Sequence, residues 1–290
     1  MLSEKQSTHF NIFILKKVFL LALFCSLHSF SQEVATPEKY TAHNKGKFFV
    51  YWGGNRESYS KSDIRFQGNG YDFTLQDVAA HDKPKGYHLD YLNPARMTIP
   101  QTNLRIGYFI NDHYNIAIGV DHMKYVMSQN RAVDYTGTYP NQGSYGEMLP
   151  NGQVLLTEDF LTFEHTDGLN YVQTEFSRVD DISKWVKLPN TDKFQINLTE
   201  GIGAGLLYPK TNAKLLGNTR HDDFHVSGYG VSAKVGLNFT FFKYFFIQTE
   251  LKGGYINMND IRTTSSSSDK ASQEFFFFQR IIAFGGIFRI

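Results

Sequence analysis

The sequence predicts an all-β chain, a closed antiparallel β-barrel that crosses a membrane. Three observations predict it. Aromatic residues make up 16% of the 290 residues, with 26 Phe, 17 Tyr and 24 Gly, yet the mean hydropathy is only −0.34. Long stretches alternate between apolar and polar residues. The connections between these stretches are short and long in turn. A helical membrane protein would be far more apolar, and a soluble domain rarely carries so much Phe and Tyr. Strands with one face on lipid and the other on a wet lumen need this mixture. Beyond the first thirty residues no window approaches 18 consecutive apolar residues, so a spanning helix is not predicted. A closed barrel is then the remaining way to satisfy every backbone group in lipid.

The first 31 residues read as a signal peptide. Lys16 and Lys17 precede the apolar run Val18 to Leu27, and Ser29-Phe30-Ser31 is a small-x-small cleavage site before Gln32. That run is far shorter than the roughly 20 residues of a spanning helix. The one cysteine, Cys25, falls inside it, so residues 32–290, expected to form a single barrel domain, carry no thiol chemistry. The formal net charge is +1, and no basic run marks a nucleic-acid partner.

The strands follow from period-2 alternation. From Tyr229 to Phe241, Tyr229, Val231, Ala233, Val235, Leu237, Phe239 and Phe241 share one face. Small or polar residues, among them Lys234, occupy the other. A turn at 242–244 leads to Phe245, Ile247, Thr249, Leu251 and Tyr255, with Gln248, Glu250 and Lys252 opposite. Ile282, Phe284, Gly286, Phe288 and Ile290 form the outer face of a last strand, with Arg280 on the same face. Similar patterns run over 48–57, 101–110, 114–127, 169–179 and 194–207, giving eight strands. The segment 63–78, with a Gly-Asn-Gly turn, either extends the wall as a hairpin or raises the count to ten. Connections at 111–113 and 242–244 are tight and 180–193 is moderate, whereas 58–100, 128–168, 208–224 and 259–273 are long. Short periplasmic turns and long outer loops are expected of a bacterial barrel. The Ser265 to Ser268 run reads as a flexible loop tip.

Two positions disturb the pattern. Glu200 falls on the apolar face of 194–207, so either a β-bulge near Thr199–Gly201 turns it inward or the register assigned to 194–207 is wrong. Ile116, Ile118 and Val120 are out of phase with Met123, Tyr125 and Met127. A bulge near Asp121-His122 would align them and place His122 and Lys124 inside.

Eight strands leave an interior just wide enough to be filled by side chains. The inward set includes Arg105, Asp121, Glu175, Lys234, Glu250 and Lys252. Mixed charges in so narrow a space must pair, which predicts a salt-bridged plug. A narrow channel is the alternative.

At the level of architecture the chain resembles the small OmpA/OmpX-type outer-membrane barrels. A last strand of alternating apolar residues is part of that resemblance, although Ile290 stands where Phe or Trp is commoner. The resemblance implies an outer-membrane location, with membrane lipid and the barrel-assembly machinery as partners. It implies a non-enzymatic surface, structural or binding role for the long loops, without naming the ligand. The chain is also similar to small barrels that transfer or remove acyl chains on lipid A, which use His, Ser and an acid at the outer mouth. His122, His165, His225 and Ser227 are the candidates for such a site. The deacylase type has adjacent His and Ser on a strand, and here the only such pair is His28-Ser29 in the leader. No cofactor is expected. His221, Asp223 and His225 share one face of an extended segment and suit zinc chemically. Same-face neighbours about 7 Å apart make three bonds to one ion awkward without a turn.

Overall fold

A computed structural model describes residues 43–86, 88–89, 100–188, 191–218 and 221–290. The predicted leader, including Lys16, Lys17 and Cys25, lies outside the described residues. In chain order the strands are β1 (Phe48–Tyr59), β2 (Ser62–Gly68), β3 (Tyr71–Val78), β4 (Ala80–His81), β5 (Thr102–Phe109) and β6 (Tyr114–Met127). Short segments follow: β7 (Ala132–Val133), β8 (Tyr135–Thr138), β9 (Glu147–Met148) and β10 (Val154–Leu155). The rest are β11 (Leu161–Asp181), β12 (Phe194–Leu207), β13 (Asn212–Leu215), β14 (Gly228–Phe241), β15 (Phe245–Arg262) and β16 (Lys270–Phe288).

Eight of these form an antiparallel ring in the order β1-β5-β6-β11-β12-β14-β15-β16, with β16 pairing back to β1. The register runs from Phe48 through Tyr108, Ile116, Phe176, Ile202, Ala233, Gly253 and Phe278, and returns to β1 at Ser58, ten residues on. A stagger of this kind tilts the strands and sets the width of the ring. The turns at 110–113 and 242–244 and the segment 182–193 lie at one end, together with the start of β1 and the end of β16. The long connections lie at the other. Phe242 and Lys243 hold the tightest turn in the left-handed region, with φ of 53° and 68°.

The outer face of the ring is apolar where the inner face is polar. Ile118, Ile202, Ile282 and Phe276 are 63%, 65%, 67% and 65% exposed. Near the short-turn end the outward rings touch one another. Phe48 lies 4.9 Å from Tyr108 and 6.5 Å from Phe288, Tyr114 lies 5.4 Å from Phe176, and Phe194 lies 5.2 Å from Phe241. Further along the long strands the polarity inverts. Met123, Tyr125, Met127, Phe163, Leu169, Ile256, Met258 and Phe275 point inward and are buried. Lys124, Glu164, Asn257 and Glu274 take the outer positions.

This inversion corrects the bulge expected at Asp121-His122. β6 pairs with β5 without a break as far as His122, whose register sets it on the face opposite Asp121. Lys124 shares that face, and His122 on it is buried, at 3% exposed. The pairing does shift, but on β11 between His165 and Leu169. The two apolar runs differ in phase because one faces outward in the belt and the other packs inward beyond it. The bulge expected near Thr199–Gly201 is absent too. β12 pairs in continuous register with β11 and β14, and Glu200 shares the outer face directly opposite Arg178. The Arg178 guanidinium itself is paired with Asp180 at 2.6 Å. Arg280 faces outward opposite Arg56 of β1, and the last strand ends at Phe288 rather than at Ile290.

The long-connection end is a folded cap rather than a set of loose loops. The hairpin β2–β3 pairs with the start of β16 and with β8, and it is not one of the ring strands. β4 adds to β6, β13 adds to β11, and β7, β10 and β9 form a small separate sheet. These elements enclose one aromatic core. Phe73 lies 5.3 Å from Phe66, 5.8 Å from Phe160 and 5.2 Å from Tyr139, and Phe66 lies 5.5 Å from Phe163. Even the serine run is tied down, with Ser266 Oγ 2.8 Å from Ser268 Oγ and the Thr264 hydroxyl donating to Asp269 at 2.8 Å. Because Phe73 packs among cap residues, Phe73→Ala is expected to loosen the cap first. The truncation costs about 3–5 kcal/mol. Limited proteolysis should then cut within 60–86 or 128–160 while the ring strands stay protected.

Candidate functional site: the ion cluster inside the ring

Arg105 on β5, Asp121 on β6, Glu175 on β11, Lys234 on β14, and Glu250 and Lys252 on β15 all point into the ring. The Arg105 guanidinium reaches Asp121 at 2.7 Å and Glu175 at 2.8 Å through one nitrogen. Lys252 bonds the same two carboxylates, at 2.7 and 2.8 Å. Lys234 bonds Glu175 at 2.7 Å and Glu250 at 2.9 Å. Three cations and three carboxylates thus form one connected, neutral chain, with every member buried. Neutral groups occupy further lone pairs. The Tyr51 hydroxyl donates to Glu250 at 3.2 Å and the Gln173 amide donates to Asp121 at 2.6 Å.

Glycines make room for these long side chains. A Cβ on Gly119 would lie 2.0 Å from the Leu104 carbonyl and 2.5 Å from Cδ of Arg105. One on Gly203 would lie 2.6 Å from Oε1 of Gln173. Tyr51, Gln173 and Asn103 were missed as cluster members. Continuing the alternation of β1, β11 and β5 inward would have found them. Nearer the cap, Glu57 takes a bond from Gln279 at 3.1 Å and another from Gln101, which also bonds Asp82.

The histidines do not converge. His81 bonds Ser128 at 3.2 Å, His122 bonds Asn170 at 2.8 Å, His165 bonds Thr211 at 2.9 Å and His225 bonds Asp260 at 2.8 Å. The Ser227 hydroxyl donates to the backbone carbonyl of His225, 3.3 Å away, and not to its ring. Among the described residues no hydroxyl is bonded to the His225 ring, which is turned to Asp260. Of the proposed metal set, His221 and Asp223 stand 4.0 Å apart while His225 is turned to Asp260. Among the described residues no group of three His, Cys, Asp or Glu side chains is arranged to hold a metal ion.

Two predictions follow from the buried ionic groups. Glu175→Gln leaves three cations facing two carboxylates without water, and should cost about 3–5 kcal/mol in denaturant unfolding. Glu164→Gln, which breaks the half-exposed pair with Lys83 at 3.2 Å, should cost under ~1 kcal/mol. The second concerns His165, which lies in the cap beyond the apolar belt, where burial pushes its imidazole down to about 3. Its folded value lies below the free one, so the unfolded chain binds the proton first as pH falls below about 6.5. Stability should therefore drop between pH 6.5 and 3. Between pH 7 and 4, unfolding curves should show His165→Gln losing less than the parent, by on the order of 3 kcal/mol.

No protein-family profile matches this sequence, and no curated protein matches it. Solved structures do. The chain is similar to the outer membrane protein OprG from Pseudomonas aeruginosa, at 10% identity and a TM-score of 0.36, over 86% of this chain and 99% of that one. It is similar to Ail, the attachment invasion locus protein of Yersinia pestis, at 14% identity and a TM-score of 0.32, over 84% and 99% of the two chains. It is also similar to the N-terminal β-barrel domain of OprF from Pseudomonas aeruginosa, at 8% identity and a TM-score of 0.29, over 84% and 98%. At these identities the likeness is one of fold.

Proposed function

We propose that the chain is an integral outer-membrane protein, a closed eight-stranded barrel whose interior is plugged and whose cap serves as a surface or binding element without catalysis. The observation that carries this reading is the inversion of polarity along the long strands. A water-soluble barrel would not expose Ile118, Ile202 and Ile282 by more than half while burying six charged groups inside. An apolar outer belt with aromatic rings gathered at its edge suits a bilayer, and the return to polar outer positions at Lys124, Glu164 and Glu274 suits exit into water. The neutral cluster spans the interior from Arg105 to Lys234, which supports a closed lumen rather than a channel. The separate partners of His122, His165 and His225 favour a non-enzymatic role over acyl transfer.

Sidedness is tested with two cysteine variants in intact cells and an impermeant maleimide. Ser266→Cys, in the connection between β15 and β16, should label, and Lys184→Cys, in the segment between β11 and β12, should label only after the outer membrane is opened. Labelling of both in intact cells, or only of Lys184→Cys, overturns the orientation. In planar bilayers the purified protein should show no steady conductance, and steady conductance by the parent would overturn the plug.

A further inference from the structure

The interior is not filled along its whole length. Between the ion cluster and the short-turn end lies a cavity of about 280 Å³. This is near the lower end of the range for small-molecule sites. Lys234 lies at its inner end, so the cavity is blind. Its position was not legible in the sequence, because a cavity is set by where side chains stop.

The two walls differ in character. One is built from Phe49, Phe109, Phe246 and Ile287. The other is a ladder of amides and hydroxyls on β12 and β14. The Asn197 amide donates to Asn238 at 3.2 Å and Thr240 at 3.3 Å, and the Thr240 hydroxyl donates to Asn238 at 2.7 Å. The ladder does not satisfy itself. Oδ1 of Asn197 and Oγ1 of Thr199 have no hydrogen-bond partner, although their residues are only 4% and 3% exposed. Buried oxygens of this kind are costly unless a donor reaches them.

The mouth carries Lys47, Lys243 and Arg289. Lys243 is paired with Asp192 at 2.7 Å, and Asp112 accepts from the Lys45 backbone at 2.9 Å with His43 3.8 Å away. The three cations still crowd one another. The Lys47 ammonium is held below its ordinary value by burial first and then by the charges of Arg289 and Lys243. A ligand that relieves this crowding brings negative charge to the mouth. One that satisfies Asn197 and Thr199 brings hydroxyl or amide donors inside. One that covers the aromatic wall has an apolar face. A sugar ring has such a face in its C–H bonds, and a carboxylated sugar meets all three demands.

We infer that this cavity is a binding site for a small carboxylated sugar, entered from the end where β1 begins and β16 stops. The carboxylate sits among Lys47, Lys243 and Arg289. The hydroxyl groups donate to Asn197 and Thr199, and the ring lies against Phe49 and Phe246.

The test is calorimetric titration of the full protein in lipid nanodiscs with D-glucuronate, D-glucose and hexanoate. Glucuronate should bind saturably and about tenfold or more tighter than glucose, which lacks the charge, or hexanoate, which lacks the hydroxyls. Asn197→Leu combined with Thr199→Val should weaken glucuronate by about tenfold or more. Thr199→Val alone, nearly equal in shape, should weaken it less and guards against a folding defect in the pair. Lys47→Met with Arg289→Met should remove the preference over glucose. Absence of saturable glucuronate binding at millimolar concentration overturns the proposal. Equal binding of all three probes, or unchanged affinity in Thr199→Val and the double variant, does so as well. Binding in nanodiscs is independent of sidedness in cells, so failure here leaves the cysteine-labelling result standing.

Discussion

The pairing of β1 with β16 is the constraint on which the rest depends. It leaves no edge among the eight ring strands, and with the ten-residue stagger it sets how wide the interior is. An interior of that width has no space for bulk water around six charged side chains. Arg105, Asp121, Glu175, Lys234, Glu250 and Lys252 therefore neutralise one another through direct bonds, and Gly119 and Gly203 yield the volume those bonds require. The cluster is a consequence of closure, and it stiffens the structure that created it.

Along the axis the polarity of the wall inverts. Near the short-turn end the outer wall is apolar and the inner wall polar. In the cap the outer wall is polar and the inner wall is a conventional aromatic core. A single strand such as β15 crosses both regimes, with Glu250 and Lys252 inward in one and Ile256 and Met258 inward in the other. The inward face stays the same face throughout, and only the residue class suited to it changes.

Much of the ring was legible because alternation is a strong signal over ten residues or more. The limits of 48–57, 114–127 and 194–207 lie within a few residues of β1, β6 and β12. Of the cap, the hairpin over 63–78 was legible from its Gly-Asn-Gly turn, and the rest was not, since its strands are short and its contacts join distant segments such as Phe66, Phe160 and Phe163. The change of phase in β6 was visible as an anomaly at Asp121-His122, but a bulge was the wrong cause. Alternation tells which residues share a face and not which solvent that face meets. Glu200 shows the same limit from the other side. It stays on the apolar side of an unbroken strand, and the residue across from it, Arg178, lies on another strand. Inward polar positions could be named from the sequence, whereas the actual bonds among them, and Tyr51 as a partner of Glu250, depend on the stagger.

The seam between β1 and β16 has a meaning for how the molecule assembles. Phe48 and Phe288 pair across nearly the whole described chain. Every other ring contact joins strands that follow one another around the sheet, so this one carries the largest loop-closure entropy. It also sets Arg56 directly opposite Arg280, and like charges facing across strands weaken a pairing. The joint that closes the ring is thus the one with the longest span of chain to bring together. Until it forms, β1 and β16 are the two edges of an open sheet, each with a stretch of unpaired backbone.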